Sequence, residues 1–468
     1  MPKNPSSISF SYVDLFAGCG GLSVGLESQG GKLIFALERS PMAAETFMRN
    51  LITPEMTDLE WQKFLSADIN KQLDNHLLVK DINDIASSPE VTNSLNKLDV
   101  DLVAGGPPCQ GFSMAGRRKH DDLRNNLPWK FLEIVDAADP KIVIIENVLG
   151  MNQRFSSQGE DSTSAFAQVA EALESTGRGY IVQKLLLNAK HFGAAQNRPR
   201  LFLIGLRSDL AEKTGITASR TIWKSDFQDK ISAPPTLAPA PTLNSAEERT
   251  VEQALAGFIP GGRPTSGYVA ELADAEFWGI PSVAAPANTN RRTHGERATL
   301  KFELYLALNR LNLPSVLMRD GLSPSKESLR QEYRSHLKDL SYPILKTTGA
   351  VLASSAEQFW TEIERHKTKK HSQRVLQAKT AAPTVITSPD DYIHPTEPRV
   401  LSVRELARFQ GFPEAFTFRA KETTGGMKRA VEVPQYSQVG NAVSPYVGRA
   451  LGVLVKRILA LTANAIEG

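Results

Sequence analysis

Short apolar runs alternate with amphipathic stretches over the first two hundred residues of this chain. The runs are rich in Val, Ile, Leu and Phe, and Gly, Pro, Asp or Asn bound them at 10–16, 32–37, 77–79, 100–104, 141–145 and 201–206. Apolar residues at helical spacing lie between them, as in 129–138 and 165–173. Because buried strands that alternate with helices form mostly parallel sheets covered on both faces, the pattern predicts an α/β fold.

The pattern changes after residue 207. Two stretches there are rich in Pro, Gly and Ala, 235–241 and 257–267, and another is dense in Lys, Arg and His, 362–374. Helical spacing occurs within this part at 300–311 and returns beyond it at 399–409 and 447–461. We therefore expect a first domain made of 1–208 and completed by a return segment at 383–468, with a smaller, irregular domain at 209–382.

Composition narrows the class of protein only a little. A chain of 468 residues that is 41% hydrophobic can bury two cores, and its net charge of +3 neither requires nor excludes a nucleic-acid partner. Two cysteines exclude a disulfide scaffold and indicate a reducing compartment. The sequence has no apolar signal core and no stretch suited to span a membrane, so we expect a cytoplasmic protein without membrane association.

A glycine cluster, Gly18-Cys19-Gly20-Gly21, follows the first predicted strand and opens a helix. Its spacing lacks the third glycine of a dinucleotide site, and therefore favours a cofactor without a pyrophosphate, such as S-adenosylmethionine. Glu38 ends the second apolar run, where a carboxylate can accept hydrogen bonds from ribose hydroxyls, and Asp81-Ile82 follows the third run and could hold an adenine ring. The alternatives are a glycine turn without a ligand and, for Asp81, a helix cap.

The loop at 105–113 reads Gly-Gly-Pro-Pro-Cys-Gln-Gly-Phe-Ser and directly follows a predicted buried strand. Its glycines and prolines fix a rigid, polar path at the edge where open α/β sheets bind ligands. Such a loop is a poor place to bury a structural thiol, so we interpret Cys109 as a nucleophile, activated by the basic residues at 117–119. Cys19 is interpreted as packing.

A carboxylate and two arginines complete the candidate chemistry. Glu146 follows four apolar residues, so we expect partial burial and a raised pKa, although a helix cap or a surface acid would also fit. Arg198 and Arg200 stand at the entrance to another apolar strand and could hold a base oxygen or a phosphate. A solvated charge pair is their alternative role.

Taken in order, these segments resemble the DNA (cytosine-5) methyltransferases, in particular the bacterial restriction–modification type. The resemblance covers roughly 10–207 and 383–460, and the matching segments are 14–25, 38, 81–82, 105–113, 122–127, 146–148, 196–200, 399–413 and 438–443. Ser444 departs from the family, which usually has proline there. The segment 41–80 is long for its place, and the resemblance gives it no function.

The resemblance implies a Rossmann-like S-adenosylmethionine-dependent methyltransferase domain with a mixed, mostly parallel sheet, and a target-recognition domain at 209–382. By the same resemblance, Cys109 attacks carbon 6 of a cytosine flipped out of a specific duplex DNA sequence, and carbon 5 receives the methyl group. Glu146 would hold a proton at the ring nitrogen and the exocyclic amine. Arg200 would contact the base oxygen or order the cysteine loop, and Arg198 would support it.

The resemblance also assigns binding residues and partners. The S-adenosylmethionine pocket, which releases S-adenosylhomocysteine as product, would be formed by Phe16, Gly18, Gly20, Glu38, Asp81, Ile82, Pro108, Leu127, Asn441 and Val443. Gln110 and Ser113 would contact DNA during base flipping, and the basic run at 365–374 either touches phosphates or is a solvated helix face. We expect a monomer that binds double-stranded DNA, has no metal site and has a cognate restriction endonuclease.

Two other functions remain open from the sequence. One is a transfer-RNA cytosine-5 methyltransferase on the same scaffold, against which the large recognition domain argues. The other is a non-catalytic DNA-binding protein that senses S-adenosylmethionine, against which the set of Cys109, Glu146 and Arg200 argues.

Overall fold

The computed structural model describes residues 8–86, 88–108, 126–152, 164–258, 265–426, 428 and 431–467. Cys109, Gln110 and Ser113 lie outside these ranges. The strands of the described residues are β1 (Phe10–Leu15), β2 (Gly31–Leu37), β3 (Leu77–Leu78), β4 (Leu102–Gly105), β5 (Ile142–Asn147), β6 (Tyr180–Asn188), β7 (Gln196–Asn197), β8 (Pro199–Arg207), β9 (Trp223–Lys224), β10 (Ile344–Leu345), β11 (Val351–Ala353), β12 (Arg374–Val375), β13 (Ala382–Pro383) and β14 (Tyr392–Ile393).

An eight-stranded mixed sheet carries the first domain, in the order β3-β2-β1-β4-β5-β8-β6-β9. The five strands from β3 to β5 are parallel, and β8 runs antiparallel to both β5 and β6. The predicted α/β class with a mostly parallel sheet is confirmed, and each predicted run overlaps one strand. Strand β6 was not predicted, because Gln183 and Lys184 interrupt its apolar residues.

Some of the α-helices of the described residues pack on the two faces of this sheet, and others lie at its edge or in the smaller domain. They are α1 (Gly21–Glu27), α2 (Pro41–Phe47), α3 (Asp58–Leu65), α4 (Ile69–Asp74), α5 (Ile82–Ile85), α6 (Pro89–Leu95), α7 (Leu127–Ala138), α8 (Ala165–Glu174), α9 (Ser208–Thr214), α10 (Val251–Ala254), α11 (Gly267–Leu272), α12 (Ala275–Trp278), α13 (Glu296–Arg310), α14 (Pro324–His336), α15 (Ala356–Arg365), α16 (Val403–Gln410), α17 (Gln435–Asn441) and α18 (Pro445–Glu467). No helix in these described ranges combines the length and apolar character needed to cross a bilayer.

Two hydrophobic cores lie on opposite faces of the sheet because successive strand residues point to opposite sides. Tyr12 and Ala104 join one core, which also contains residues of α1, α16 and α18. Their chain neighbours Val13 and Val103 join the other, with residues of α5 to α8. The return segment therefore completes the first core and brings α17 and α18 against α1.

The contact between α1 and α18 depends on glycine. A Cβ atom built on Gly25 would lie 2.3 Å from the backbone nitrogen of Arg449 and 2.4 Å from the carbonyl oxygen of Pro445. A Cβ on Gly21 would lie 2.2 Å from the carbonyl oxygen of Val443. These contacts are with backbone atoms, so the start of the chain and its return segment fit together only without these side chains.

Gly25→Ala is expected to lower the free energy of unfolding by at least about 2 kcal/mol, because the added methyl group must push α18 away from α1. This loss should exceed the roughly 1 kcal/mol by which alanine is favoured over glycine inside a helix. Urea unfolding followed by circular dichroism measures the change. Gly267→Ala is the matched control, since nothing lies within 4 Å of its added Cβ. Equal stability of wild type and Gly25→Ala would contradict this account of the packing.

A third core belongs to the smaller domain. It contains buried residues from Phe302 to Val400, including those of α13 and α15. The stretch 210–278 instead packs into the first core, with Leu237, Tyr268 and Trp278 buried there. The expected domain at 209–382 therefore has no single core, and its independent part starts later and extends further. The Pro- and Gly-rich composition at 209–285 therefore corresponds to irregular backbone. It does not mean that this stretch forms a domain separate from the sheet.

The long segment 41–80 forms a small core of its own at the β2–β3 edge. Phe47, Trp61 and Phe64 are buried there together with Leu77 of β3. A capping box at Thr57 starts α3 and an Asp68 side chain caps α4. The segment thus covers the edge of the sheet with helices.

Candidate active site

A cavity of about 380 Å³ opens at the carboxyl ends of β1, β2, β4 and β5. Loops after parallel strands converge at this edge, which is where open α/β sheets bind ligands. The end of α17 closes the cavity from the return segment. Seven of the residues expected to bind the cofactor line it: Phe16, Gly18, Glu38, Pro108, Leu127, Asn441 and Val443.

The other three expected cofactor residues lie outside the lining. Gly20 has a φ of +98° just before α1, and Ile82 is buried in the second core. Asp81 accepts a hydrogen bond from the backbone of Asn83 and so caps α5, and it pairs with Arg39 at 3.3 Å. Arg39 itself lines the cavity. Asp81 therefore has the capping role left open by the sequence and reaches the cavity only through Arg39.

The Glu38 carboxylate joins the glycine loop to the end of β2. It accepts hydrogen bonds from the backbone nitrogens of Gly18, at 2.9 Å, and Ser40, at 2.6 Å. Burial raises the pKa of Glu38, and these two hydrogen bonds partly oppose the rise. A carboxylate has about four acceptor positions, so Glu38 keeps acceptor capacity toward the cavity.

Asp14 is a second buried carboxylate of the cavity, and the sequence analysis gave it no separate role. It lies in β1 and accepts a hydrogen bond of 2.6 Å from the hydroxyl of Ser23. Burial raises the pKa of Asp14 to about 7, and the nearby carboxylates Glu38 and Glu27 add to the rise. Its proton therefore titrates near neutral pH.

Asp14→Asn is expected to stabilise the protein without cofactor above about pH 7 and to change little below about pH 4. Because the pKa of Asp14 is higher in the folded state than in the unfolded state, the wild type keeps its full free energy of unfolding below the unfolded-state pKa of 3.8. It loses part of that free energy as pH rises through about 7. At about 1.4 kcal/mol per pKa unit, the variant can gain at most roughly 4 kcal/mol in free energy of unfolding over the wild type. Thermal unfolding across this pH range measures the difference. The exposed Asp136→Asn is the control, and a pH-independent effect of Asp14→Asn would contradict the assignment.

Glu146 lies at the end of β5, beside the backbone that leads to Cys109. Strands β4 and β5 are neighbours, with Gly105 opposite Ile145. A Cβ built on Gly106 would lie 2.9 Å from Oε2 of Glu146, so the carboxyl group lies close to the backbone of Gly106. Oε1 of Glu146 lies 3.1 Å from Nε of Arg200, and both side chains are largely buried. Burial raises the pKa of Glu146, and Arg200 and Arg198 oppose the rise.

Asn147 fixes the same loop from the next position of β5. Its buried Nδ2 donates a 3.0 Å hydrogen bond to the carbonyl oxygen of Pro107. Asn147 therefore holds the backbone at Pro107, and Glu146 lies beside the preceding residue, Gly106. Sequence reasoning had used Asn147 only as part of a motif. The nucleophile itself lies outside the described residues.

The two arginines have different surroundings, and neither is part of the cavity lining. Arg200 pairs with Glu146 and donates to the carbonyl oxygen of Pro199. Arg198 is buried, and its Nη atoms donate at 2.9–3.0 Å to the carbonyl oxygens of Val385, Gly440 and Ala442. Arg198, between β7 and β8, therefore ties the start of β8 to the return segment, which an isolated charge pair in solvent could not do.

Cys19 also faces the cavity but differs from a reactive thiol. It is buried, and its Sγ lies 3.7 Å from the carbonyl oxygen of Gln438. Burial raises the pKa of Cys19 to about 12, which keeps it protonated. Gln438 in turn donates from Nε2 to three backbone carbonyls, including that of Met42. This agrees with the packing role expected of Cys19.

Comparison with known proteins agrees with this geometry. The family model described as "C-5 cytosine-specific DNA methylase" matches residues 10–257 and 286–457. The type II methyltransferase M.DdeI of Desulfomicrobium norvegicum is 26% identical over 446 residues, which cover 94% of this chain and 87% of that protein. Type II methyltransferase M.XorII of Xanthomonas oryzae pv. oryzae is also 26% identical, over 96% of this chain and 84% of its own length.

A eukaryotic relative shows the same similarity over a part of its length. DNA (cytosine-5)-methyltransferase 1 of Mus musculus is 26% identical over 528 residues, which cover 99% of this chain and 29% of that protein. The family match covers most of the chain and includes both β1 and the return segment. The chain therefore belongs to the C-5 cytosine-specific DNA methylase family and is a DNA (cytosine-5)-methyltransferase.

Proposed function

We propose that this enzyme transfers a methyl group from S-adenosylmethionine to carbon 5 of a cytosine that it flips out of a specific duplex DNA sequence. The observation that carries the proposal is the position of Glu146. Its carboxyl group is buried, paired with Arg200 and next to the backbone of Gly106, three residues before Cys109. Acid and nucleophile are thus attached to adjacent strands at one edge of the cavity.

Cys109 would begin the reaction as a thiolate. Its sulfur forms a bond to carbon 6 of the cytosine, which breaks the aromaticity of the ring and places electron density on carbon 5. Carbon 5 would then form a bond to the methyl group as the bond between that methyl group and the sulfonium sulfur breaks, and the electron pair of the broken bond would stay on the sulfur. Loss of the carbon 5 proton and departure of the Cys109 thiolate restore the ring.

Glu146 would hold a proton at the ring nitrogen during the attack. Burial raises the pKa of this carboxyl group, so it retains a proton closer to neutral pH than an exposed glutamate does. Arg200 fixes the carboxyl group from the other side at 3.1 Å. We give Arg198 a positioning role, because its described hydrogen bonds go to backbone carbonyls of the return segment.

The cavity fits S-adenosylmethionine by its hydrogen-bond acceptors, its apolar surface and its charge. Glu38 has acceptor capacity for ribose hydroxyls, Gly18 has nothing within 4 Å of its Cβ position, and Phe16 and Leu127 supply apolar surface. Asp14 and Glu38 place carboxylates where a cation would be favoured. When bound, the sulfonium supplies an electrophilic methyl group.

The target base cannot be reached inside a duplex, so flipping is required, and Gln110 and Ser113 remain our candidates for contacts during that movement. The setting we propose is the modification half of a restriction–modification system with a cognate endonuclease, acting as a monomer in the bacterial cytoplasm. The setting is supported by the similarity of this chain to type II methyltransferases.

A methyl-transfer assay tests the proposal and separates its alternatives. The purified full chain is given radiolabelled S-adenosylmethionine with unmodified genomic DNA, or with transfer RNA. We expect label in DNA only, and bisulfite sequencing should locate it at cytosines within one short sequence. Label in transfer RNA alone would support the RNA enzyme. Cofactor binding without transfer to either substrate would support the non-catalytic sensor.

A further inference from the structure

A chain of four polar side chains leads away from the cofactor cavity between β1 and α1. Tyr12 and Asp14 lie two residues apart in β1, so they point to the same face of the sheet. Ser23 and Glu27 lie four residues apart in α1, so they share one side of that helix. The two pairs meet where α1 packs on the sheet.

Hydrogen bonds connect these side chains in the order Asp14, Ser23, Tyr12 and Glu27. The hydroxyl of Ser23 donates to Oδ2 of Asp14 at 2.6 Å, and the hydroxyl of Tyr12 donates to Oε1 of Glu27 at 2.9 Å. Burial raises the pKa of Tyr12, and hydrogen bonding to Ser23 opposes the rise, so Ser23 is also a partner of Tyr12. Asp14 lines the cavity, whereas Glu27 is partly exposed, so the chain leads from the cavity to the surface.

The groups that face Asp14 leave its charge free to change. Burial raises the pKa of Asp14 to about 7, and Glu38 and Glu27 add to the rise. Burial also raises the pKa of Glu27 to about 7, and its hydrogen bond with Tyr12 opposes the rise. Within the described part of the chain, neither Asp14 nor Glu27 pairs with a lysine or an arginine. Three further titratable or charged residues line the cavity, from the glycine loop, the end of β2 and β5: Cys19, Arg39 and Glu146. The lining residues of the return segment are uncharged: Val433, Gln438, Asn441, Ala442 and Val443.

We propose that Asp14, Ser23, Tyr12 and Glu27 form a proton relay that connects the cofactor cavity with the surface. Asp14 gives its proton to Oγ of Ser23, the Ser23 proton passes to the oxygen of Tyr12, and the Tyr12 proton passes to the carboxylate of Glu27. Each hydroxyl gains one proton and loses one, as a group that both donates and accepts can do. Asp14 ends ionised and Glu27 ends protonated, and water at the surface takes the proton from Glu27. The reverse sequence returns a proton to Asp14.

The relay acts when the charge in the cavity changes. This inference rests on the proposed function, in which the cavity holds a cationic ligand before methyl transfer and a neutral one after it. A cation nearby favours the ionised form of Asp14, and its loss favours the protonated form. The relay therefore lets Asp14 adjust its charge while a ligand occupies the cavity.

Calorimetric titration counts the protons released on binding. The full chain, without DNA, is titrated with S-adenosylmethionine or S-adenosylhomocysteine in buffers of different ionisation enthalpy. From a pKa of about 7 for Asp14, the cationic ligand should release up to about 0.9 proton at about pH 6 and about 0.1 at about pH 8. The neutral ligand should release fewer at the lower pH. Asp14→Asn should remove the difference between the two ligands.

Tyr12→Phe tests the path itself, because phenylalanine keeps the ring and removes the hydroxyl between Ser23 and Glu27. Stopped-flow mixing with S-adenosylmethionine follows binding by intrinsic fluorescence and proton release by an indicator dye. The two signals should coincide in the wild type. In Tyr12→Phe a similar number of protons should leave, but on the order of 10²-fold more slowly than binding, as expected for losing a positioned proton carrier.

Two further variants complete the test. Glu27→Gln, at the partly exposed end, removes the last acceptor and should show the same lag. Tyr180→Phe is the matched control and should behave as the wild type does, because the buried hydroxyl of Tyr180 donates to the carbonyl oxygen of Pro140.

Proton release that keeps pace with binding in both Tyr12→Phe and Glu27→Gln would overturn the relay. Equal proton numbers for the two ligands in the wild type would do the same. Either result leaves the proposed function intact when the wild type binds S-adenosylmethionine and methylates DNA. A wild type that binds no S-adenosylmethionine overturns both.

Discussion

Cys109→Ser is expected to lower the rate of methyl transfer by at least about 10⁴-fold, while duplex and cofactor binding stay within a few-fold of wild type. A serine hydroxyl stays protonated where a thiol can ionise, so the attack on carbon 6 is lost. The backbone that leads to residue 109 is held at Pro107 by Asn147, and Gly106 lies beside Glu146. Neither contact involves the sulfur, so the fold should tolerate the change. Single-turnover transfer of a labelled methyl group measures the rate.

Covalent trapping identifies the nucleophile directly. DNA that contains 5-fluorocytosine should form a stable adduct with the wild type, because fluorine cannot leave carbon 5 as a proton does. The chain has only two cysteines, so Cys19→Ala is the matched control and should still form the adduct. An active wild type that forms no adduct, or full activity of Cys109→Ser, would refute the mechanism.

The elements around the cavity could be predicted because their signals are local. Each strand that ends at the site is a short apolar run followed by a turn residue, so the sequence places Glu38 and Glu146 at strand ends. The pairing of β4 with β5, which brings Glu146 to the Cys109 loop, also follows from the usual proximity of consecutive parallel strands.

The roles that sequence could not supply depend on partners far along the chain. Arg198 and Arg200 are two residues apart in the sequence, yet Arg200 pairs with Glu146 whereas Arg198 donates to carbonyls more than 180 residues away. Asp14 lies in an apolar strand next to a glycine loop, and its pKa is raised by burial and by the nearby carboxylates Glu38 and Glu27, which only the folded structure reveals. The pattern of one sequence shows neither which partner a side chain points toward nor how deeply the side chain is buried.

Core membership was harder to predict than secondary structure. The helical spacing of α13 was visible, whereas the packing of Tyr268 and Trp278 into the first core was not. Tyr268 donates a hydrogen bond to the carbonyl oxygen of Arg408 in α16, a contact 140 residues away. Such contacts make 210–278 part of the sheet domain although its backbone is irregular.

Glu146→Gln is expected to lower kcat by about 10² to 10⁴-fold, the range typical of losing a positioned acid or base. The amide keeps the size of the side chain but cannot exchange a proton with the ring nitrogen. Because burial raises the pKa of Glu146, wild-type activity should fall as pH rises through that value and the carboxyl group loses its proton. The variant should lack this alkaline decline, and a pH profile of kcat shows the difference.

Glu146→Gln also distinguishes a role of Glu146 in proton transfer from a purely structural role. If Glu146 served only to hold Arg200, glutamine could still accept a hydrogen bond from Nε of Arg200, and kcat would stay near the wild-type value with its pH profile unchanged. Glu133→Gln, at an exposed position of α7, is the control for a change of charge alone. A decline in kcat with an unchanged dissociation constant for S-adenosylhomocysteine places the loss in the step at the base. Adduct formation with 5-fluorocytosine DNA should slow in parallel, because protonation of the ring nitrogen and attack by Cys109 are parts of one step.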